Sequence, residues 1–290
     1  MVKRSINVCI CFRFKAQMFW RHCMNHQVKK KYGQNFLRDK NLLLKIVRES
    51  KIEDRCVIEV GPGQGALTSF LAERAREVIA YEIDTSLAPY LNPIVAKYPH
   101  VTILYEDFLE ADLSILNQEY HVVANVPYYI TTTIIFKLLE NTHIKTASLM
   151  IQKEVCDRLV ATPNSKDYNA LSVILQYHAH VYKLMDVKRH LFYPVPHVDS
   201  AVIRIEKREK SLLNSLDEKR FLTFVKHAFK QKRKTLINNL YEGYQTPKEE
   251  IINYLSRLDY ASDIRAEKLS LDDFIKLAKE WSYDWRTRLC

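Results

Sequence analysis

Short runs of apolar, mostly β-branched residues recur through the first two thirds of this chain, with stretches of helical spacing between most of them. Runs of this length predict buried strands, and their alternation with helices predicts a largely parallel sheet. The predicted strands are residues 56–60, 78–82, 101–105, 121–126, 147–152 and 200–205. We therefore expect an α/β fold, with a doubly wound, Rossmann-like sheet of seven strands.

The pattern changes near residue 207, where the composition becomes charged and resembles a linker. Helical spacing then continues to the C-terminus. Lys226, Lys230 and Arg233 follow at i, i+4 and i+7, with Lys234 beside them, which predicts a basic ridge on one helix face. We expect a smaller helical domain at this end of the chain.

The composition indicates a soluble, basic protein. The 290 residues are 47% hydrophobic, but no run reaches the ~20 apolar residues of a membrane span. The formal net charge of +10 favours a polyanionic partner such as nucleic acid. The six cysteines show no paired spacing and no histidines at zinc intervals, so neither a metal site nor a disulfide framework is indicated.

The basic charge is uneven, because residues 1–28 contain five basic and no acidic residues. Two interpretations of this leader stay open. It resembles a mitochondrial transit peptide, but Met24 favours an extension added from an upstream start codon, and with it a cytoplasmic protein. We divide the remainder into an α/β domain, 29–207, and a helical domain, 208–290.

Three of the five glycines in the chain, Gly61, Gly63 and Gly65, lie in one loop after the first predicted strand. Glycine allows a backbone to approach a ligand closely, so the loop indicates a nucleotide-type cofactor without saying which. Glu82 and Asp107 follow at the ends of the next two predicted strands. At these ends doubly wound folds bind ribose hydroxyls, and a carboxylate can accept from an adenine amine.

The predicted strand at 121–126 runs into Asn125, Pro127 and Tyr128. The Asn125 side-chain oxygen and the Pro127 carbonyl can each accept one N–H of an exocyclic adenine amine, which returns its lone pair to nitrogen. Tyr128 would stack on the base through its ring, so its hydroxyl is expected to matter little. The alternative for so short a motif is an ordinary turn.

Two further features suggest contacts with a nucleic acid. Phe192 opens an aromatic segment broken by prolines, which is either a hydrophobic hinge or a second wall that stacks on a flipped base. The basic ridge of Lys230, Arg233 and Lys234 is either a solvated helix face or a phosphate-binding surface.

Six separate stretches resemble one known family. They are QNFL at 34–37, EVGPGQGALT at 59–68, NVPY at 125–128, QKEV at 152–155, FYPVPHVDS at 192–200 and IRAEKLS at 264–270. Together they are similar to the S-adenosylmethionine-dependent rRNA adenine N6-dimethyltransferases that act on small-subunit rRNA, the KsgA family. The resemblance covers nearly the whole chain except the leader.

The resemblance implies a methyltransferase sheet and a set of cofactor-binding residues. Those residues are Asn35, Leu37, Gly61, Glu82, Asp107 and Asn125. The first three would line the methionine end of S-adenosylmethionine. Glu82 would bind the ribose hydroxyls and Asp107 the adenine, while Asn125 would contact both the cofactor and the target amine.

The resemblance also implies a reaction and a partner. A monomeric enzyme would dimethylate N6 of two adjacent adenosines in the 3′-terminal hairpin loop of small-subunit rRNA, or of an immature small subunit, during ribosome biogenesis. Two alternatives stay open: an enzyme of the macrolide-resistance type that methylates large-subunit rRNA, and an organellar transcription or ribosome-assembly factor. The intact set of predicted site residues argues against a chain without chemistry.

Overall fold

The computed structural model describes residues 35–281, so the predictions for the leader, 1–28, fall outside it. The strands of the described part are β1 (Phe36–Leu37), β2 (Cys56–Val60), β3 (Glu77–Tyr81), β4 (Val101–Leu104), β5 (Tyr120–Asn125), β6 (Ile144–Gln152), β7 (Ala179–Val187), β8 (Phe192–Tyr193) and β9 (Ser200–Lys207). Its α-helices are α1 (Lys40–Glu49), α2 (Ala66–Ala72), α3 (Ala88–Lys97), α4 (Thr131–Glu140), α5 (Lys153–Leu159), α6 (Ala170–His178), α7 (Ser215–Ala228), α8 (Leu236–Tyr244), α9 (Lys248–Arg257) and α10 (Leu271–Glu280).

Seven strands form one sheet in the order β4-β3-β2-β5-β6-β9-β7. Strands β2 to β6 pair in parallel, whereas β9 runs antiparallel to both β6 and β7. The chain moves outward from β2 to β4 and then returns to place β5 on the other side of β2. The order of the strands therefore reverses between β2 and β5, and ligands of doubly wound sheets bind at such a point.

This sheet confirms the predicted seven-stranded, Rossmann-like α/β fold, but its edge strand β7 and the helix α6 before it were not predicted. Helix α6 and strand β7 follow each other directly. Strand β7 lies at an edge, where exposed or half-buried His180, Lys183 and Asp186 interrupt its apolar positions. Because an edge strand next to solvent lacks a continuous apolar run, the patterns that found the central strands miss it.

Helices α7 to α10 pack around a second apolar cluster, which includes Phe221, Phe224 and Phe274. Tyr168 and Tyr177, from the region before β7, belong to the same cluster. The helical layer is thus fastened to the chain on both sides of β7. The division at residue 207 stays a prediction.

A separate two-stranded ribbon joins β1 to β8 in antiparallel register, with Phe36 opposite Tyr193 and Leu37 opposite Phe192. Leu37 and Phe192 are both buried in the apolar cluster beneath it. The ribbon therefore holds the first described residues against a segment more than 150 positions later in the chain.

Within residues 35–281, no helix combines the length and the apolar character that a membrane crossing requires. The same range holds no group of three or more His, Cys, Asp or Glu side chains arranged around a possible metal ion. Its two cysteines, Cys56 and Cys156, are buried free thiols.

Candidate active site

A cavity of about 470 Å³ opens at the carboxyl ends of β2, β3, β4 and β5. Its volume lies within the range of small-molecule sites. Eight of the predicted site residues line it: Asn35, Leu37, Gly61, Glu82, Asp107, Asn125, Pro127 and Tyr128. Residues that lie up to 93 positions apart in the sequence are therefore gathered at the switch point of the sheet.

The loop between β2 and α2 needs glycine for conformation and for space. Gly61, Gly63 and Gly65 have φ values of 72°, 60° and 77°, all in the left-handed region. A Cβ on Gly63 would lie 2.9 Å from Phe36 Cε1, so the loop packs closely under the β1 residue. At Gly61 no heavy atom lies within 4 Å of such a Cβ, and its backbone borders the cavity.

Glu82 follows β3 and is only 4% exposed. Its Oε2 accepts the Gly63 N–H at 3.0 Å, and its Oε1 accepts the Asp84 N–H at 2.8 Å. Burial raises the pKa of the Glu82 carboxyl, and these backbone hydrogen bonds oppose the rise. Since each carboxylate oxygen has two lone pairs, Glu82 can brace the glycine loop and still accept two hydroxyls.

Asp107 follows β4 and is half-buried at the cavity. Its Oδ1 accepts the Leu109 N–H at 2.9 Å, which fixes the turn after the strand. The neighbouring Phe108 packs edge-on against Tyr81, with ring centroids 5.3 Å apart. The end of β4 is thus a fixed support for one carboxylate in the cavity wall.

Asn125 ends β5, and its Nδ2 donates to the Asn35 carbonyl at 2.9 Å. This bond fixes the amide orientation, because only the nitrogen can donate to a carbonyl. Oδ1 is then the half of the side chain that can accept an N–H from a ligand. The same bond joins two of the predicted cofactor residues across the cavity wall.

The Pro127 carbonyl has other partners than the predicted amine. It accepts the Ile130 N–H at 3.2 Å and the Thr131 hydroxyl at 3.5 Å, in the 3-10 turn before α4. The Val126 carbonyl accepts no hydrogen bond from the residues in 35–281. The turn thus already uses the Pro127 carbonyl, whereas the Val126 carbonyl has no such partner in the described part of the chain, and both residues line the cavity. Which of the two accepts the amine stays a prediction.

The Tyr128 hydroxyl is not free, because it lies 2.7 Å from Ser200 Oγ at the buried start of β9. Burial raises the pKa of the Tyr128 phenol. The hydrogen bond fastens the ring to the sheet. The Tyr128 hydroxyl therefore positions the ring, which is a role that stacking alone does not require.

We expect Tyr128→Phe to raise the KM for RNA several-fold, since a net hydrogen bond is worth about 0.5–1.5 kcal/mol. Ser200→Ala should have a similar effect, and the double variant should lose no more than either single variant. Steady-state methylation assays, with cofactor affinity as the control, measure this. Independent, additive losses would contradict the coupling.

Glu59 lines the cavity but was not assigned a role from the sequence. It lies in β2, is 1% exposed, and its Oε2 has no hydrogen-bond partner within the described residues. Burial raises the pKa of the Glu59 carboxyl to about 8, and the nearby Glu82 carboxylate adds to the rise. The one signal in the sequence is an acid inside an otherwise apolar strand, CVIEV.

This raised pKa predicts that stability falls as pH rises. The folded carboxyl keeps its proton up to about 8, whereas the unfolded one loses it near 4.5. The stabilisation is complete below the lower value and is lost as pH rises through the upper one. We expect Tm of the ligand-free protein to fall more steeply over this window than Tm of Glu59→Gln. Parallel thermal-unfolding profiles would contradict the assignment.

Phe192 does not line the cavity, because it is 3% exposed and packs in the core beneath the ribbon. Its ring has no open face for a base, which corrects the prediction that it stacks there. The next side chain, Tyr193, is 54% exposed.

The basic residues Lys230, Arg233 and Lys234 are exposed but lie in a turn, since α7 ends at residue 228 and α8 begins at 236. The predicted helical ridge is therefore wrong in its geometry. Buried Asn239 closes the turn, because its Nδ2 donates to the Ala228 and Gln231 carbonyls at 2.7 and 3.1 Å. A role for the turn in RNA binding stays a prediction.

Comparisons with known proteins agree on one family. The family model for ribosomal RNA adenine dimethylase matches residues 25–282. The ribosomal RNA small subunit methyltransferase A of Phytoplasma australiense is 46% identical over 267 residues, covering 89% of this chain and 93% of that protein. The protein of the same name from Bacillus cereus (strain B4264) is 44% identical over 262 residues, covering 86% and 90%.

Two solved structures are similar along most of their length. A dimethyladenosine transferase from Plasmodium falciparum superposes with a TM-score of 0.71 at 28% identity, covering 83% of this chain and 95% of that one. The 23S rRNA methyltransferase ErmE superposes with a TM-score of 0.70, also at 28% identity, covering 84% and 98%.

Proposed function

Because the chain belongs to the ribosomal RNA adenine dimethylase family, we propose that it transfers methyl groups from S-adenosylmethionine to N6 of adenosines in small-subunit rRNA. The product is N6,N6-dimethyladenosine, formed at two adjacent positions in the 3′-terminal hairpin loop during ribosome biogenesis. The observation that carries the proposal is the orientation of the Asn125 amide at the end of β5. Its Nδ2 donates to the Asn35 carbonyl, so its Oδ1 can accept an N–H of the target amine.

The cavity suits this cofactor. S-adenosylmethionine supplies a methyl group on a positively charged sulfonium and also carries an ammonium. Glu59, whose buried Oε2 has no hydrogen-bond partner in the described residues, would gain a donor from this ammonium. Glu82 would accept the ribose hydroxyls and Asp107 the adenine amine, while Gly61 and Leu37 border the methionine end.

The residues of the β5 loop would prepare the adenine amine. Its lone pair is delocalised into the ring, so the amine is a weak nucleophile. When Asn125 Oδ1 and the Val126 carbonyl each accept one N–H, the lone pair returns to nitrogen as attack begins. Tyr128, held by Ser200, would stack on the base. These acceptors activate the amine without a strong base, and its proton can leave to water after transfer.

Small-subunit rRNA is favoured over large-subunit rRNA by the sequence relatives. The two structural likenesses do not separate the alternatives, because their TM-scores are 0.71 and 0.70. The relatives at 44% and 46% identity, in contrast, are both small-subunit methyltransferases by name. A purely non-catalytic assembly factor would have no need for the cavity and its anchored amide.

Mapping of methylated adenosines tests the proposal. Purified protein and S-adenosylmethionine would be incubated with small-subunit rRNA, immature small subunits and large-subunit rRNA. Primer extension should stop at two adjacent adenosines near the 3′ end of the small-subunit RNA. Stops on large-subunit rRNA alone would assign the chain to the other specificity.

We propose a monomeric, cytoplasmic enzyme, with a mitochondrial location as the alternative.

The basic turn gives a separate prediction. Replacing Lys230, Arg233 and Lys234 by alanine should weaken RNA binding and leave cofactor affinity unchanged, because phosphate contacts position the substrate without touching the reaction. The slope of RNA affinity against salt concentration should decrease by an amount that corresponds to up to about three phosphate contacts. A triple variant with the wild-type salt slope would show that the turn does not contact RNA.

A further inference from the structure

An arginine and a tyrosine are stacked at the rim of the cavity. The Arg38 guanidinium carbon lies 4.3 Å from the centroid of the Tyr193 ring. Arg38 lines the cavity, and Tyr193 is 54% exposed. Neither residue was assigned a role from the sequence, and neither takes part in the chemistry proposed above.

The β1–β8 ribbon holds this pair in place. Side chains alternate between the two faces of a strand, so the burial of Leu37 and Phe192 directs their neighbours to the open face. The Arg38 N–H donates to the Leu191 carbonyl at 3.3 Å, which extends the ribbon by one residue. The pair therefore stands on a backbone that is fastened to the core.

The exposed Arg38 side chain lines the cavity and lies over the Tyr193 ring. The adjacent acid, Asp39, is engaged elsewhere, because its Oδ1 accepts the Leu42 N–H at 2.7 Å and caps α1. One face of the Tyr193 ring is covered by the guanidinium, while about half of the residue remains exposed. A cation beside an aromatic ring is the combination that binds single-stranded RNA, through phosphate and base stacking.

We propose that Arg38 and Tyr193 bind the nucleotide next to the target adenosine, with Tyr193 stacked on its base and Arg38 in contact with its phosphate. The inference rests on the proposed function. When the target adenosine enters the cavity, its neighbour loses a stacking partner. Arg38 lines the cavity and holds the exposed Tyr193 ring beside it, so the pair can replace that partner.

Kinetics of four variants test this step. Tyr193→Ala should raise the KM for small-subunit RNA about tenfold, the loss expected for one base stack, with kcat and S-adenosylmethionine affinity unchanged. Tyr193→Phe should behave as wild type. Arg38→Ala should also raise KM and should reduce the salt slope of binding by about one contact. Tyr182→Ala, another exposed tyrosine (47%) on strand β7, is the matched control.

A fluorescent base gives a readout that a merely structural role would not change. With 2-aminopurine next to the target adenosine, its fluorescence should be quenched on binding to wild type and to Tyr193→Phe, but not to Tyr193→Ala. If wild type methylates small-subunit RNA and Tyr193→Ala matches it in KM and quenching, the step is wrong and the proposed function stands. If wild type does not methylate that RNA, both are overturned.

Discussion

Asn125→Ala should lower the rate of both methyl transfers about 10²–10³-fold, the effect expected when one preorganised hydrogen-bonding group is removed from an active site. The loss should appear in kcat more than in the KM for RNA, because Oδ1 acts on the amine as its charge develops and the base is held mainly by stacking. The structure supports this role, since the donor to Asn35 leaves only Oδ1 to face an N–H.

The second transfer needs no additional residue. Two neutral acceptors, Asn125 Oδ1 and the Val126 carbonyl, can release one N–H of the amine and keep a hydrogen bond to the other. A carboxylate base that removed both protons would not be expected to use an already methylated amine as a substrate. After the first transfer, the new methyl group can rotate to the side of the lost hydrogen. The remaining N–H then binds one acceptor, and the lone pair faces the cofactor again.

Mass spectrometry of digested RNA measures both steps. Wild type should proceed to N6,N6-dimethyladenosine with excess cofactor, and Asn125→Ala should form both products slowly. Asn125→Asp is the informative companion, because it keeps an acceptor oxygen but sets a carboxylate against the Asn35 carbonyl. Normal turnover of Asn125→Ala, or a wild type that stops at the monomethyl product, would show that this account of the loop is wrong.

The central sheet was predictable from the sequence because its strands are buried on both faces. Largely apolar runs such as CVIEV and HVVAN result directly from that burial, and polar residues at or after the end of each run mark the carboxyl ends. Parallel strands gather these ends at one edge of the sheet. The positions of Gly61, Glu82, Asp107 and Asn125 around one cavity therefore followed from spacing along the chain.

Other features depend on contacts that spacing does not encode. Phe192 and Tyr193 are equally aromatic in the sequence, and only the pairing of β8 with β1 decides which ring is buried. The basic ridge follows helical spacing, yet buried Asn239 closes a turn where the helix was expected. The turn after β5 uses the Pro127 carbonyl as an acceptor and leaves the neighbouring Val126 carbonyl without a donor from the described residues.

Glu82→Gln should weaken S-adenosylmethionine binding by about 1.5–3 kcal/mol, the value of hydrogen bonds to a charged group. This corresponds to about one to two orders of magnitude in Kd. The carboxylate already accepts backbone N–H groups of Gly63 and Asp84, and its other lone pairs are those that would accept two ribose hydroxyls. The amide keeps the shape of the side chain but has one acceptor oxygen and no charge.

Glutamine is a more specific test than alanine, because its single oxygen still accepts one of the two backbone N–H groups. Glu82→Ala would also leave the Gly63 and Asp84 N–H groups without their acceptor in a buried position, at about 1–3 kcal/mol for each unsatisfied group. The alanine variant should therefore lower Tm as well as affinity, and its loss of binding would mix two causes. Glu110→Gln, an exposed acid that does not line the cavity, is the matched control.

Calorimetric titration of S-adenosylmethionine into the three variants and wild type separates these causes. We expect wild-type affinity for Glu110→Gln, a large loss with a modest change in Tm for Glu82→Gln, and losses in both quantities for Glu82→Ala. If the Glu82 carboxylate only braces the glycine loop, the affinity of each variant should instead fall in proportion to its Tm. If Glu82→Gln binds the cofactor as tightly as wild type, Glu82 does not hold the ribose, and its role is to brace the Gly63 and Asp84 backbone.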